Sequence, residues 1–157
     1  MLQAYNMKHL GFTMVELVVV LIITGVLAAV AVPRFFVSQQ YYDRGFYDQA
    51  LAITRYAQKS AIALRRNLCV NIVSSTLSIN LTYASAAGSS SACNTNLPSP
   101  VGGTSPFTIT APSGVTLSPT TTITFTALGS VSSASATTTI TVSSRTITVE
   151  TGTGYVH

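Results

Sequence analysis

FTMVELVVVLIITGVLAAVAV, residues 12–32, is an apolar run that contains a single ionisable side chain, Glu16. As a helix with a rise of about 1.5 Å per residue it measures about 31 Å, which is enough to cross the hydrocarbon core of a bilayer. Pro33 and Arg34 follow it directly. The run therefore predicts a membrane-spanning helix.

Two ordinary explanations account poorly for this run. A secretory signal peptide has a shorter apolar core, followed by a small residue at the cleavage site. Here the core is longer and the small residue, Gly11, stands before it. A plain membrane anchor leaves Glu16 unexplained, because a carboxylate in a spanning segment costs about 2.5–3.5 kcal/mol on insertion scales. Glu16 is therefore a candidate functional residue.

The stretch GFTMVEL, residues 11–17, resembles the class III signal of type IV prepilins and type II secretion pseudopilins. In that signal a Gly is followed by a Phe, and a Glu stands at the fifth position of the mature chain. The resemblance implies that prepilin peptidase cuts between Gly11 and Phe12 and methylates the new amine of Phe12. It also implies that the helix stays in the chain, anchors the subunit in the bacterial inner membrane and later packs in the filament core.

The same resemblance implies an assembly role for Glu16. In the family, this carboxylate pairs with the terminal amine of a neighbouring subunit, which is Phe12 here, and a buried carboxylate needs such a partner. Lys8, on the cytoplasmic side, agrees with the positive-inside rule. Residues 1–11 form the leader if translation starts at Met1, and Met7 is an alternative start.

Residues 34–67 predict an amphipathic helix, which Pro33 should kink at its beginning. Its apolar stripe recurs at steps of three and four and consists of Phe46, Ala50, Ile53, Ala57, Ala61 and Leu64. The basic side chains off the stripe are predicted to face solvent, with lipid headgroups near Arg34 or neighbouring subunits as alternatives. These off-stripe residues are Arg44, Arg55, Lys59 and Arg65.

From residue 68 onward the apolar periodicity changes to two, which predicts strands. The predicted strands are 68–73, 76–81, 107–110, 123–126, 138–142 and 145–149, with a long loop over 84–106 and a hairpin turn at Ser143-Ser144. A glycosylated Thr-rich stalk is the alternative. Because Ile, Val and Phe alternate with Thr, we favour one antiparallel sheet with a buried and a wet face.

The predicted fold class is therefore α+β, with a long amino-terminal helix packed on an antiparallel sheet, as in type IV pilins. The predicted segments are the leader 1–11, the membrane and filament-core helix 12–33, the amphipathic helix 34–67 and the β-rich head 68–157.

Short motifs in the head extend the resemblance. FTALG, residues 125–129, and GTGYV, residues 152–156, are similar to the GspH/FimT-like subgroup of minor pilins and pseudopilins. RYAQK, residues 55–59, together with a Cys at the start of the sheet and the TGYVH ending, is most similar to the MshC-type minor pilins of mannose-sensitive haemagglutinin (MSHA) pili.

Cys69 and Cys93 are the two cysteines of the chain. Since the resemblance implies that the head is exported to an oxidising compartment, a disulfide between them is predicted. It would close a loop of about 25 residues and stabilise the head by about 3 kcal/mol. Two reduced thiols are the alternative.

Composition excludes most other functions. The chain has 157 residues, 47% of them hydrophobic and only 8% charged. No cofactor, metal site or enzymatic activity is expected, because the two histidines, His9 and His157, are far apart and Asp43 and Asp48 have no catalytic partner. Both carboxylates are expected to be solvated or paired with Arg44 or Arg65.

Three functions compete. The first is a minor pilin that initiates or caps a type IV pilus, with prepilin peptidase, other major and minor pilins, the inner-membrane assembly platform and membrane lipid as partners. The second is a GspH-like pseudopilin of a type II secretion machine. The third, a FimT-like DNA-binding minor pilin, is disfavoured because the carboxy-terminal half offers phosphate only Arg145 and His157.

Overall fold

The computed structural model describes residues 11–87, 92–103, 105–132 and 137–157, without the side chains of residues 32–37. The predicted leader, apart from Gly11, and the alternative start Met7 lie outside the described residues. The chain divides into two compact units, Met1–Ser38 and Gln39–His157. The fold is α+β, as predicted: over the described residues one helix, α1, spans Met14–Leu64, and eight antiparallel strands follow.

In the first unit, α1 carries an apolar surface all the way round. The window Met14–Ala31 has a mean hydropathy of 2.7, is long and apolar enough to span a membrane, and is 0% buried. Thr24 does not interrupt it, because its hydroxyl donates to the backbone carbonyls of Val20 and Leu21 at 2.8 and 3.0 Å. A hydroxyl bonded within its own helix is tolerated in lipid. The kink predicted at Pro33 falls on residues whose side chains are not described.

The helix ends at Leu64, three residues earlier than predicted. Arg65 adopts a left-handed conformation with φ of 52°, and the amide of Arg66 donates to the carbonyl of Ala61 at 3.1 Å. This is the hydrogen-bond pattern of a Schellman cap, in which the left-handed position is usually Gly. The placement of Leu64 on the core stripe was wrong, because its side chain, in the last residue of the helix, is 42% exposed.

Five strands form the larger sheet, in the order β3-β2-β1-β6, with β4 also paired to β2. They are β1 Leu68–Val73, β2 Ser78–Ala84, β3 Cys93–Asn96, β4 Thr108–Thr110 and β6 Thr121–Phe125. The smaller sheet has the order β5-β7-β8 and consists of β5 Leu117–Ser118, β7 Thr137–Val142 and β8 Arg145–Glu150.

The sheets differ from the prediction in several features. The strands form two sheets instead of one, β3 lies within the predicted loop 84–106, and β5 lies where no strand was predicted. The sequence CNTN of β3 has low β propensity, so its strand conformation depends on pairing with β2 and on the bond at Cys93. The start of β2 also shifts, because Ser74–Leu77 form a turn before it.

The core of the second unit lies between α1 and the sheets. Five stripe residues of α1 are at most 2% exposed: Phe46, Ala50, Ile53, Ala57 and Ala61. In the β7–β8 hairpin Ile140 pairs with Ile147 and both are buried, while the neighbouring pair Thr139 and Thr148 lies on the other face. The predicted alternation of buried and wet positions is confirmed in this hairpin.

Candidate functional site

The amino-terminal end of α1 carries the residues that the sequence predicts to serve processing and assembly. Gly11 is exposed and precedes the helix, and Phe12 is 80% exposed. Thr13 caps the helix: its hydroxyl accepts from the amide of Glu16 at 3.2 Å and its carbonyl from the amide of Leu17 at 3.2 Å. Our sequence interpretation missed Thr13, although the spacing Thr-x-x-Glu is the signature of a capping box.

Glu16 stands in the first turn of α1 and is exposed. A carboxylate there is favoured by the helix dipole, by about 0.3–1 kcal/mol at an exposed site. This gain is smaller than the cost of about 2.5–3.5 kcal/mol for a carboxylate in a spanning segment. Among the residues that the structure describes, no cationic side chain pairs with Glu16. The helix cap explains a polar residue at this position but leaves the charge without a partner.

Cys69 and Cys93 are joined by a disulfide, with an S–S distance of 2.01 Å and a Cα–Cα distance of 6.0 Å. Cys69 lies on β1 and Cys93 opens β3, the edge strand that pairs with β2. The bond therefore ties the edge of the larger sheet to its centre. It holds a strand that sequence propensity alone would leave as loop.

The carboxy-terminal segment is fixed to α1 by two side chains, which we name the carboxy-terminal clamp. Arg55 donates from Nε and Nη2 to the carbonyl of Val156 at 3.1 and 3.0 Å. Gln58 Nε2 donates to the carbonyls of Gly129 and Thr153 at 3.3 and 3.0 Å. Arg55 and Gln58 are one helical turn apart, so they reach adjacent loops from the same face of α1.

The clamp corrects the interpretation of Arg55 as a purely solvated side chain, since its guanidinium is bound to the backbone of residue 156. The segment that Arg55 holds extends the smaller sheet. The amide of His157 donates to the carbonyl of Thr148 at 3.0 Å, and the amide of Thr148 donates to the carbonyl of His157 at 2.7 Å. Val156, the residue before His157, is 2% exposed. The RYAQK and GTGYV motifs are therefore in contact.

Two glycines make the clamp possible. Gly154 has φ of 67°, and a Cβ there would overlap the carbonyl oxygen of Gly129. Gly129 has φ of 88°, and its Cβ would lie 2.7 Å from Cδ1 of Ile62. Both positions need glycine for backbone conformation and for space. Gly129 of FTALG and Gly154 of GTGYV are thus explained by the packing of two loops against each other and against α1, whereas a Cβ at Gly152 would meet nothing within 4 Å.

Two acidic residues of the head, Asp43 and Glu150, contact other side chains of the head, and Asp48 is exposed. Asp43 accepts hydrogen bonds from Gln39 Nε2 at 3.3 Å and from Ser143 Oγ at 2.8 Å, which corrects the expected pairing with Arg44 or Arg65. Glu150 pairs with His157 at 3.4 Å on the surface. Over the described part of the chain, no group of three or more His, Cys, Asp or Glu side chains could hold a metal ion.

Comparison with known proteins identifies the amino-terminal segment. Residues 6–32 match the family model described as the prokaryotic N-terminal methylation motif. Neither the curated proteins nor the solved structures include a match to this chain. The matched residues contain the Gly11–Phe12 bond, the cap at Thr13, the carboxylate of Glu16 and the exposed apolar helix. The motif implies processing by prepilin peptidase and assembly with other pilins, and it supports a type IV pilin or pseudopilin as the identity of this chain.

Proposed function

We propose that the protein is a minor pilin that helps to initiate or cap a type IV pilus of the MSHA type. Prepilin peptidase cuts it between Gly11 and Phe12 and methylates Phe12. The observation that carries this proposal is the methylation motif at residues 6–32, followed by an apolar helix whose span is 0% buried within the subunit. A helix that is apolar all round needs lipid or other helices around it.

Before assembly the subunit is a single-pass protein of the inner membrane. Lys8 stays on the cytoplasmic side and the head lies in the periplasm, in agreement with the positive-inside rule. The disulfide between Cys69 and Cys93 supports this location, since disulfides persist in oxidising compartments. The assembly platform of the inner membrane then transfers the helix from lipid to the filament core.

Glu16 recruits a subunit during that transfer. Its carboxylate lies in the apolar segment without a cationic partner among the described residues. The terminal amine of Phe12 in a neighbouring subunit would provide the opposite charge at the same depth. Pairing the two charges removes most of the cost of keeping either of them in an apolar layer.

A GspH-like pseudopilin of a type II secretion machine is the second candidate, because the methylation motif serves pilins and pseudopilins alike. We do not favour DNA capture of the FimT type. In the carboxy-terminal half of the chain, the Arg145 guanidinium lies 5.6 Å from the ring centroid of Tyr47, and His157 is occupied by Glu150. These two groups are too few for binding driven by phosphate contacts.

The test compares Glu16→Val and Glu16→Gln with the unaltered chain in a strain that lacks the native gene. Gln keeps a polar side chain that can act in the helix cap, but it removes the charge. Both variants should insert into the membrane at normal level, since a costly charge is gone. Both should nevertheless fail to restore filament number, counted by electron microscopy.

If Glu16→Gln forms filaments at normal number, position 16 is needed for the helix cap and not for its charge. The proposed pairing of Glu16 with the amine of Phe12 would then be wrong. Measuring protein secretion in the same strains separates the two machines. Loss of secretion with intact pili would identify a pseudopilin and overturn the proposed place in a pilus.

A further inference from the structure

An exposed apolar patch lies beside the carboxy-terminal end of α1. Leu128 is 91% exposed, and Ile62 is 48% exposed. Together with Arg65, Ala87 and Ala127 they line an open cavity of about 560 Å³. We call this surface the Leu128 patch. Apolar side chains grouped on a surface in this way mark interaction sites more often than scattered ones do.

The turn that carries Leu128 is held firmly. The amide of Gly129 donates to the carbonyl of Thr126 at 2.9 Å, and the amide of Thr126 donates to the carbonyl of Ser130 at 2.7 Å. The Gly129 carbonyl is in turn bound by Gln58 of the clamp. A side chain presented on a turn fixed at both ends loses little conformational entropy on binding, so Leu128 is preorganised for contact with a partner.

The charged side chains at this end of α1 are basic. Lys59, Arg65 and Arg66 lie within seven positions of one another, and Glu150, in the segment that packs on Gly129, already pairs with His157 at 3.4 Å. Arg66 is partly occupied, since its guanidinium donates to the carbonyl of Ser85 at 2.8 Å and lies 5.8 Å from the ring centroid of Tyr83. Arg65 lines the cavity itself. The complement of such a surface is apolar and carries a carboxylate.

Arg65 holds this position against its backbone preference. Its φ of 52° lies in the left-handed region, where a residue with a side chain is less stable than Gly by about 1 kcal/mol. The sequence thus keeps a cation at the edge of the patch where helix capping alone would favour Gly.

We propose that the Leu128 patch binds the head of a different pilin-type subunit through an apolar surface that carries a carboxylate facing Arg65. This inference rests on the proposed function and names a surface for it. A second copy of this chain is a weaker complement. Of its head carboxylates, Asp43 and Glu150 are hydrogen-bonded internally, which leaves Asp48 as the exposed one, one helical turn after the basic Arg44.

The experiment places the photo-crosslinking residue benzoyl-phenylalanine at position 128 or at position 101 of the full chain, in the bacterium that makes it. Val101 is the matched control, because it is an apolar residue at a loop tip with 89% exposure. Irradiation should join position 128, but not position 101, to another protein that carries the N-terminal methylation motif. Mass spectrometry of the adduct identifies that protein.

Arg65 variants test the charge in the same assay. Arg65→Glu should lower the yield of the adduct about tenfold, as expected when an interfacial charge pair is replaced by a repulsive one. Arg65→Gly relieves the backbone strain, so it cannot fail by unfolding the cap, and it should still lower the yield. An unchanged yield with both variants would contradict the role of Arg65.

Other outcomes overturn the proposal. One is an adduct of position 128 with a second copy, with a protein that lacks the motif or with nucleic acid. Another is an equal yield of adduct at positions 128 and 101. The last is the absence of an adduct in cells that make normal filaments. Processing at Gly11–Phe12 and filament counts are followed in parallel. If they are normal while position 128 gives no adduct, the patch assignment fails and the proposed function stands; if processing is absent, the proposed function fails first.

Discussion

Residues 14–31 and residues 39–64 belong to the same helix but differ in how their apolar side chains are covered. In the first stretch the side chains are apolar all round and 0% buried within the subunit. In the second, one stripe that includes Phe46 and Ile53 is buried against the sheets while the other face is wet. The first stretch needs an apolar environment from outside, and the second obtains one from its own chain.

The residues on the buried stripe show how the second stretch achieves this. Three of the five are alanines, Ala50, Ala57 and Ala61, each 0% exposed. Small side chains let the helix backbone approach the sheets closely, and Phe46 and Ile53 fill the space between. The folding of the head is therefore local to residues 39–157, while in the proposed function the amino-terminal stretch serves association.

The largest change in head stability should come from Gly154→Ala. A Cβ there overlaps the carbonyl of Gly129, and the φ of 67° disfavours any side chain. We expect a loss of at least about 2 kcal/mol in the free energy of unfolding, measured by urea denaturation of the full chain in detergent. Gly152→Ala is the control: a Cβ at that position meets nothing within 4 Å, so stability should change by less than about 0.5 kcal/mol. Equal losses from both variants would disprove the close packing of the two loops.

The next largest effect should come from Cys93→Ala, which opens a loop between residues 24 positions apart. The chain-entropy model gives a loss of about 3 kcal/mol as an upper value, reduced to the extent that pairing with β2 holds β3. Cys69→Ala should cost at least as much as Cys93→Ala, because it removes the same bond and also truncates a buried side chain that is 7% exposed. Alkylation under denaturing, non-reducing conditions checks the bond directly, and modification of both thiols in the unaltered protein would contradict it.

A smaller effect is expected for the clamp. Arg55→Ala removes two hydrogen bonds to the carbonyl of Val156 and should cost about 1.5 kcal/mol, the lower end for charged donors, because Arg55 as a residue is exposed. Amide exchange of His157 and Thr148 should accelerate in this variant. Lys59→Ala on the same helix is the control and should leave both amides protected; acceleration in both variants would mean that the helix as a whole had loosened.

No effect on head stability is expected for Glu16→Val. If the two parts of α1 act separately, the urea midpoint of the head should stay within error of the unaltered chain while assembly is lost. A shift in the midpoint would show that the amino-terminal stretch also stabilises the head, and the two parts of α1 would then not act separately.

Much of this organisation could be predicted from residues whose role depends on local sequence. The apolar run, the stripe from Phe46 to Ala61 and the β7–β8 hairpin follow from periodicity alone. The features that were missed depend on partners distant in the chain. Strand β3 needs β2 and Cys69, and the clamp of Arg55 needs a carbonyl 101 positions away. Thr13 is different. Its capping signal is local and present in the sequence, so it could have been predicted.

The candidate site divides in the same way. Gly11, Phe12 and Glu16 lie within six consecutive positions of one motif, so the sequence alone is enough to predict them as a site. The Leu128 patch brings together residues from α1, from the segment after β2 and from the turn after β6, and no spacing in the sequence relates them. A surface of this kind follows only from the fold.

The most direct test of the pilin assignment is the mass of the mature amino terminus. The full protein is extracted from membranes of the bacterium that makes it, digested, and its amino-terminal peptide is sequenced by mass spectrometry. We predict a chain that begins at N-methylated Phe12, with accumulation of uncut chain when Gly11→Ala is introduced. A mature chain that begins at Met1 or Met7, or one that is cut after Ala31, would contradict the assignment.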